Sequence, residues 1–292
     1  MMPIPFYPSS KRALGIGLLL LYAWSSSYAG TATGLEGLYY TGVDNGGGLL
    51  AGGTNDSHWS VSYAYANGIA DNPAYQGPAY VVSSAYAYPG WIPNTSTAQW
   101  ITAPGALTAP TGGTADAGGA YLPGNGTSGP NRGNYIYTLA FNISGTGSGT
   151  VTNKVSIALT LAADNQAKVY VNPSLNPDGS IAGGLVGGTF LDAWDNTSTL
   201  TLRNYGVSRN ASFVIGTNTL VIQVDNTLSM TGTVGTNTLN PSGLLVYQTG
   251  TAILIDGKPV VPEVGVWLPI AGALGLFLWQ RRRQSEKPLL SA

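Results

Sequence analysis

Cysteine is absent from this 292-residue chain, and charge is scarce, with Asp, Glu, Lys and Arg together making 9% of it. The first absence excludes disulfides and thiol chemistry and removes the usual zinc ligand sets. A single histidine, His58, leaves no imidazole cluster for a transition metal. Glutamate is nearly missing as well: between Gly30 and Val261 it occurs only as Glu36. That works against a glycosidase, which needs two carboxyl groups flanking the scissile bond. Over the same span six bases face eleven acids, a net charge of −5 with no basic patch, which argues against a nucleic-acid partner. No stretch of this body sustains a long amphipathic helical pattern.

What is present is glycine, 41 residues of it, within a chain that is 43% hydrophobic. Apolar residues at that level do not suit a solvated disordered chain. Short β-branched and aromatic runs recur instead, among them NYIYTLAFNI, VSIALTLAA, AKVYVN, STLTLRNY, ASFVIG, NTLVIQV and GLLVYQTGTAILI. In the first, Tyr135, Tyr137, Leu139 and Phe141 fall on one face, with Ile136, Thr138 and Ala140 on the other. Asn-Pro, Asp-Gly and Gly-Gly breaks supply the turns between runs. The pattern predicts an all-β protein, an antiparallel β-sandwich forming one domain over residues 30–257. The Gly/Pro/Thr-rich stretch from Ala103 to Gly133 is expected to be an exposed excursion.

The two ends read as transport segments. Lys11-Arg12, the apolar run ALGIGLLLLYAW and the small residues Ser27 and Ala29 form a secretory signal peptide over residues 1–29, cut between Ala29 and Gly30. Near the other end, Val264 to Gln280 is a run of 17 residues. As a helix it would span about 25 Å, the short limit for a bilayer. Arg281, Arg282 and Arg283 follow it and would stay cytoplasmic.

Pro262-Glu263, that apolar run and the arginine cluster resemble the PEP-CTERM sorting signal of Gram-negative bacteria, with Val264 where the family pattern has a second proline. The resemblance implies processing by an exosortase, a membrane protease. The chain would be anchored in the inner membrane for a time and then released to the cell surface or extracellular matrix. Six phrases of the body are similar to a sandwich module common in such proteins, related to the galactose-binding, jelly-roll superfamily: TGVDNGGGLLAGGTNDSHWSV, PGWIPNTSTAQWI, NYIYTLAFNISG, AADNQAKVYVN, GTNTLVIQVDNT and NPSGLLVYQTGTA. This implies a jelly-roll fold and an association with exopolysaccharide and biofilm.

Against that background the candidate chemistry is modest. His58 in NDSHWSV has Asp56 and Ser57 beside it, but neighbours on an extended chain point different ways, so no Ser-His-Asp triad is expected. Asp-Asn pairs recur at Asp44-Asn45, Asp71-Asn72, Asp164-Asn165, Asp195-Asn196 and Asp225-Asn226. Such pairs are ordinary turn formers, and their oxygens also suit a structural calcium ion, the one cofactor considered. Tryptophan and tyrosine stack on sugar faces while amides and carboxylates bond the hydroxyls. The candidate glycan contacts are therefore Asp56, His58 and Trp59, Trp91 and Asn94, and Trp194 with Asp195, each with a scaffold role as its alternative. The expected function is a non-catalytic exported surface or matrix protein with weak glycan binding or a structural role. The alternatives are a secreted glycosidase or lyase and a simple membrane-anchored adhesin. Adhesion to a solid surface would need regular threonine arrays, which the irregular Thr runs do not supply.

Overall fold

The computed structural model describes residues 29–64, 75–85, 89–108, 118–123, 133–176, 181–187, 193–226, 239–248 and 253–260. The described chain is all-β. In order, the strands are β1 (Thr31–Glu36), β2 (Asn55–Ala64), β3 (Gly77–Val81), β4 (Ile101–Thr102), β5 (Tyr121–Pro123), β6 (Gly133–Thr146), β7 (Val155–Asp164) and β8 (Gln166–Val171). They continue as β9 (Ser174–Leu175), β10 (Ile181–Ala182), β11 (Ala193–Arg203), β12 (Gly216–Asn226), β13 (Leu239–Pro241), β14 (Gly243–Tyr247), β15 (Ile253–Ile255) and β16 (Lys258–Pro259). No helix among the described residues is long and apolar enough to cross a membrane. The expected signal peptide (all but Ala29), Pro262, Glu263, the 264–280 run and Arg281 to Arg283 lie outside the described residues.

Two long strands organise the ladder, and every strand pairing is antiparallel. On one edge of β6 lies β12, with β8 beyond it; on the other edge β1 and β2 share its length. On one edge of β7 lies β11, and on the other β14 and β15. The short strand β4 joins these halves, pairing Val81 of β3 with Ile101 and Ile101 with Leu244 of β14. Strands β5 and β13 form a separate pair, as do β9 and β10.

The two halves bury their apolar faces in one core, which makes the arrangement sandwich-like. Tyr135, Tyr137, Leu139, Phe141 and Ile143 of β6 are buried together with Val155, Ile157, Leu159 and Leu161 of β7. Leu220, Ile222 and Val224 of β12 join them, as do Leu244 and Val246 of β14. The period-2 alternation of β6 is therefore the face that the apolar spacing indicates, and burying each such side chain contributes roughly 1.5–3 kcal/mol. The opposite face of β6 is not bare: Ile136 is covered by Tyr170, Val221 and Ile181. A second apolar cluster lies away from the main core, where Val82, Trp91, Ala98, Trp100 and Ala120 pack with Ala162 of β7 and Leu245 of β14.

Of the excursion from Ala103 to Gly133, the described residues 103–108 and 118–123 depart from the expectation of exposure. Ala103, Ala106, Ala120 and Leu122 are buried, and Ser242 N–H donates to the Ala120 carbonyl at 2.8 Å. The described small residues Gly118 and Ala120 fit against β3 and β14 rather than projecting into water. Gly118 shows why: a Cβ there would stand 2.6 Å from the Val81 carbonyl oxygen.

Candidate functional site

The segment from Tyr39 to Asp56 builds the most polar cluster around the sequence-predicted residues. Its turn is made by Asp44, whose Oδ1 accepts N–H bonds from Gly46 and Gly48, both at 2.8 Å. The Asp44 carbonyl accepts Gly47 N–H at 3.0 Å, and Gly47 adopts φ 78°, the left-handed region where glycine carries no penalty. Gln99 ties the base of the turn by donating from Nε2 to the Gly42 and Leu50 carbonyls at 3.0 and 2.7 Å.

Asp56, the second residue of β2, lies beneath this turn and has no exposed surface. Its Oδ2 accepts Gly42 N–H at 2.7 Å, and its Oδ1 accepts His58 N–H at 2.9 Å and Trp59 N–H at 3.3 Å. The carboxylate satisfies three backbone donors at the join of turn and strand, which is a scaffold task. His58 lies over the turn: its ring stacks on Tyr39 at 3.5 Å between centroids, and its Nε2 lies 2.8 Å from Asn45 Oδ1. The Nδ1 atom stands 3.5 Å from Asp56 Oδ1, too long for a strong hydrogen bond, and Ser57 between them faces solvent. Asp56, Ser57 and His58 are thus not arranged as a triad. Trp59 is 1% exposed and donates Nε1 to the Tyr40 carbonyl at 3.3 Å, so its indole faces belong to the main core.

Trp91 and Asn94 sit in the loop that covers the outer cluster. Trp91 stacks on Trp100 at 4.3 Å and donates Nε1 to the buried Asp164 carboxylate at 2.7 Å. The stack is admitted by Gly243, where a Cβ would come within 2.7 Å of the Trp91 ring. Asn94 is exposed, yet its Oδ1 accepts Trp100 N–H at 3.0 Å, and Trp100 Nε1 donates to the Ile92 carbonyl at 2.8 Å. The backbone of Trp194 lies in β11, beside the irregular pairing between Ala193 and Ser198; its side chain lies outside the described residues. Asp195 is exposed, and no described contact joins it to either cluster. The structure therefore brings Asp56, His58 and Trp59 together, seats Trp91 and Asn94 in a neighbouring cluster linked through Tyr40, and leaves Asp195 apart.

Two partners were not visible in the sequence. Tyr39 and Asn45 complete the surroundings of His58, and only the phrase VDNGGG, a turn signal, pointed to their loop. Among the described residues no three His, Asp or Glu side chains gather as a metal site. A shallow cleft of about 170 Å³ lies between Tyr80, Thr102, Pro104 and Gly119. It is smaller than the roughly 300–1,000 Å³ of ordinary ligand clefts, and its walls are mostly small residues. Close to Thr102, the Tyr137 hydroxyl is wholly buried without a well-formed hydrogen bond, and burial pushes its pKa above the usual tyrosine range. Compared with known proteins, the chain matches no family model and none of the curated sequences.

Proposed function

We propose that this chain is an exported, exosortase-sorted protein of the cell surface or extracellular matrix that acts without turnover, as a structural component of the exopolysaccharide layer. The observation that carries the reading is the pairing of terminal segments: a signal-peptide pattern cut at Ala29, and Pro262-Glu263 with an apolar run and Arg281 to Arg283. The described fold fits between them. Gly30 N–H already donates to the Thr150 carbonyl at 3.0 Å, and Val260 N–H donates to the Ile253 carbonyl at 2.9 Å. The finer fold we infer is the galactose-binding-like jelly roll, supported by the shared core of the β6 and β7 halves.

The same geometry favours a structural role over glycan recognition. Trp59 and Trp91 have their rings packed inside, and Asp56 spends its oxygens on backbone donors. A sugar contact would fall to exposed groups such as Asn94 and Asp195, giving weak binding at most. Calcium, if held, would use exposed oxygens such as those of Asp195-Asn196, which lie in β11.

The test is the intact mass of protein extracted from the surface of producing cells. Loss of residues 1–29 and of the segment after about Glu263 is expected. A dominant species that retains Arg281 to Arg283 would refute exosortase sorting and make the chain a plain membrane-anchored adhesin. Calorimetry against the host exopolysaccharide, with and without calcium, addresses the ligand. Release of product from that polymer would make the protein an enzyme and overturn the non-catalytic reading.

A further inference from the structure

Asn45 is followed by Gly46, and glycine puts no side chain over the backbone nitrogen that can attack the preceding asparagine amide. Here both atoms which that reaction uses have a partner. Gly46 N–H donates to Asp44 Oδ1 at 2.8 Å, so a carboxylate already holds the proton that must leave. Asn45 Oδ1 lies 2.8 Å from His58 Nε2. An amide oxygen can only accept, so Nε2 is the donor and faces the oxygen on which charge would develop. The imidazole is held for this: stacked on Tyr39, its side chain is 8% exposed, and its own backbone N–H is bound by Asp56. Beyond Gly47 the space is open, with no atom within 4 Å of where a Cβ would stand, so the turn can deform without a clash there.

We propose that the turn Asp44-Asn45-Gly46 is a self-modification site, where Asn45 is converted through a cyclic imide into aspartate and isoaspartate. The Gly46 nitrogen forms a bond to Asn45 Cγ while its proton passes to the Asp44 carboxylate. His58 Nε2–H holds the oxyanion at Oδ1. Collapse of that intermediate breaks the Cγ–Nδ2 bond, and the amide nitrogen leaves as ammonia, taking up the proton that Asp44 accepted. Water then opens the imide at either carbonyl; nothing is oxidised or reduced. Asp44 and His58 serve as base and electrostatic donor, groups that speed proton-coupled steps when they are already positioned. The product places a carboxylate where His58 had an amide partner. The isoaspartate form also lengthens the main chain inside the bonds that join Asp44 to Gly47 and Gly48.

The test is peptide mapping by mass spectrometry of the purified full chain during storage at neutral pH, native and in denaturant, with isoaspartate resolved by electron-transfer fragmentation. Asn67-Gly68 and Asn125-Gly126 elsewhere in the sequence serve as clocks in the denatured sample. The expected result is that Asn45 gains one dalton at least tenfold faster in the folded protein than in the denatured one, and that Asp44→Asn and His58→Gln each slow it about tenfold. The native-to-denatured comparison needs no variant, so a misfolded mutant leaves it intact. A folded-state rate equal to or below the denatured rate would overturn the proposal, because the same hydrogen bonds would then be locking the turn against attack. Equal rates in folded Asp44→Asn, folded His58→Gln and the parent would overturn the assigned roles.

Discussion

Replacing Asp56 by alanine would strip the junction between the Gly42 turn and β2 of a carboxylate that accepts from three backbone N–H groups. Two of those bonds are short, at 2.7 and 2.9 Å, and the third is longer at 3.3 Å. Hydrogen bonds to a charged group contribute about 1.5–3 kcal/mol each, and a buried donor left unpaired costs about 1–3 kcal/mol. Counting the two short bonds and allowing for water entering the vacated space, Asp56→Ala should lower stability by about 3–5 kcal/mol. For a domain of this size that is a melting point lower by about 10 °C. Asp56→Asn keeps one acceptor but sets an amide N–H against a backbone N–H, so about half the loss is expected. Urea unfolding followed by tryptophan fluorescence measures both, with an unchanged denaturant slope as the check that the unfolding reaction is the same. A loss below about 1 kcal/mol for the alanine variant would refute the scaffold assignment. Loss of polysaccharide binding at unchanged stability would return Asp56 to the role of a sugar contact.

Three further perturbations probe other parts of the fold. Gly243→Ala should cost about 1–3 kcal/mol, read by the same unfolding assay, because its methyl would press on the Trp91 ring that stacks over β14; full stability would show that the stack does not need the close approach. Asp256 has its pKa held below the ordinary 3.8, first by the Asn153 side-chain hydrogen bond and then by the Lys154 backbone N–H. A depressed carboxyl stabilises above its unfolded pKa and loses that contribution as pH falls through the folded value, so Asp256→Asn should flatten the stability profile below about pH 4; an unaltered acid limb would refute the coupling. The buried Tyr137 hydroxyl ionises above the ordinary 10.0, so the unfolded chain releases its proton first and stability falls as pH rises past that value. Tyr137→Phe should soften this alkaline loss and leave neutral stability unchanged or higher by up to about 1 kcal/mol, and a clear destabilisation would show that the hydroxyl is well bonded after all.

Period and turn chemistry carried much of the fold in the sequence itself. The alternation of Tyr135, Tyr137, Leu139 and Phe141 selects a buried face because successive side chains on a strand point opposite ways, whatever lies across from them. Asp-Gly marks a tight turn for a similarly local reason. Asp256 adopts φ 52° and Gly257 φ 76° between β15 and β16, a conformation these residues reach at little cost. Partnership across the chain is different, because no residue's neighbours in space follow from its neighbours in sequence. Trp59 and Trp91 have the composition of sugar platforms, and only the tertiary structure puts one in the main core and the other on Asp164, 73 residues along. Asn204 looks like a loop residue, yet its Oδ1 accepts Val155 N–H and its Nδ2 donates to the Asn153 carbonyl, both at 2.8 Å, pinning the start of β7. The same holds for the cluster around His58. The turn in VDNGGG could be read from its residues, but the stacking of Tyr39 and the placement of Asn45 over the imidazole depend on how β2 and Gln99 hold that turn. Local conformational preference is a property of short sequence and can be read directly; burial and pairing belong to the packed whole, where the cost of an unsatisfied donor decides which residue faces which.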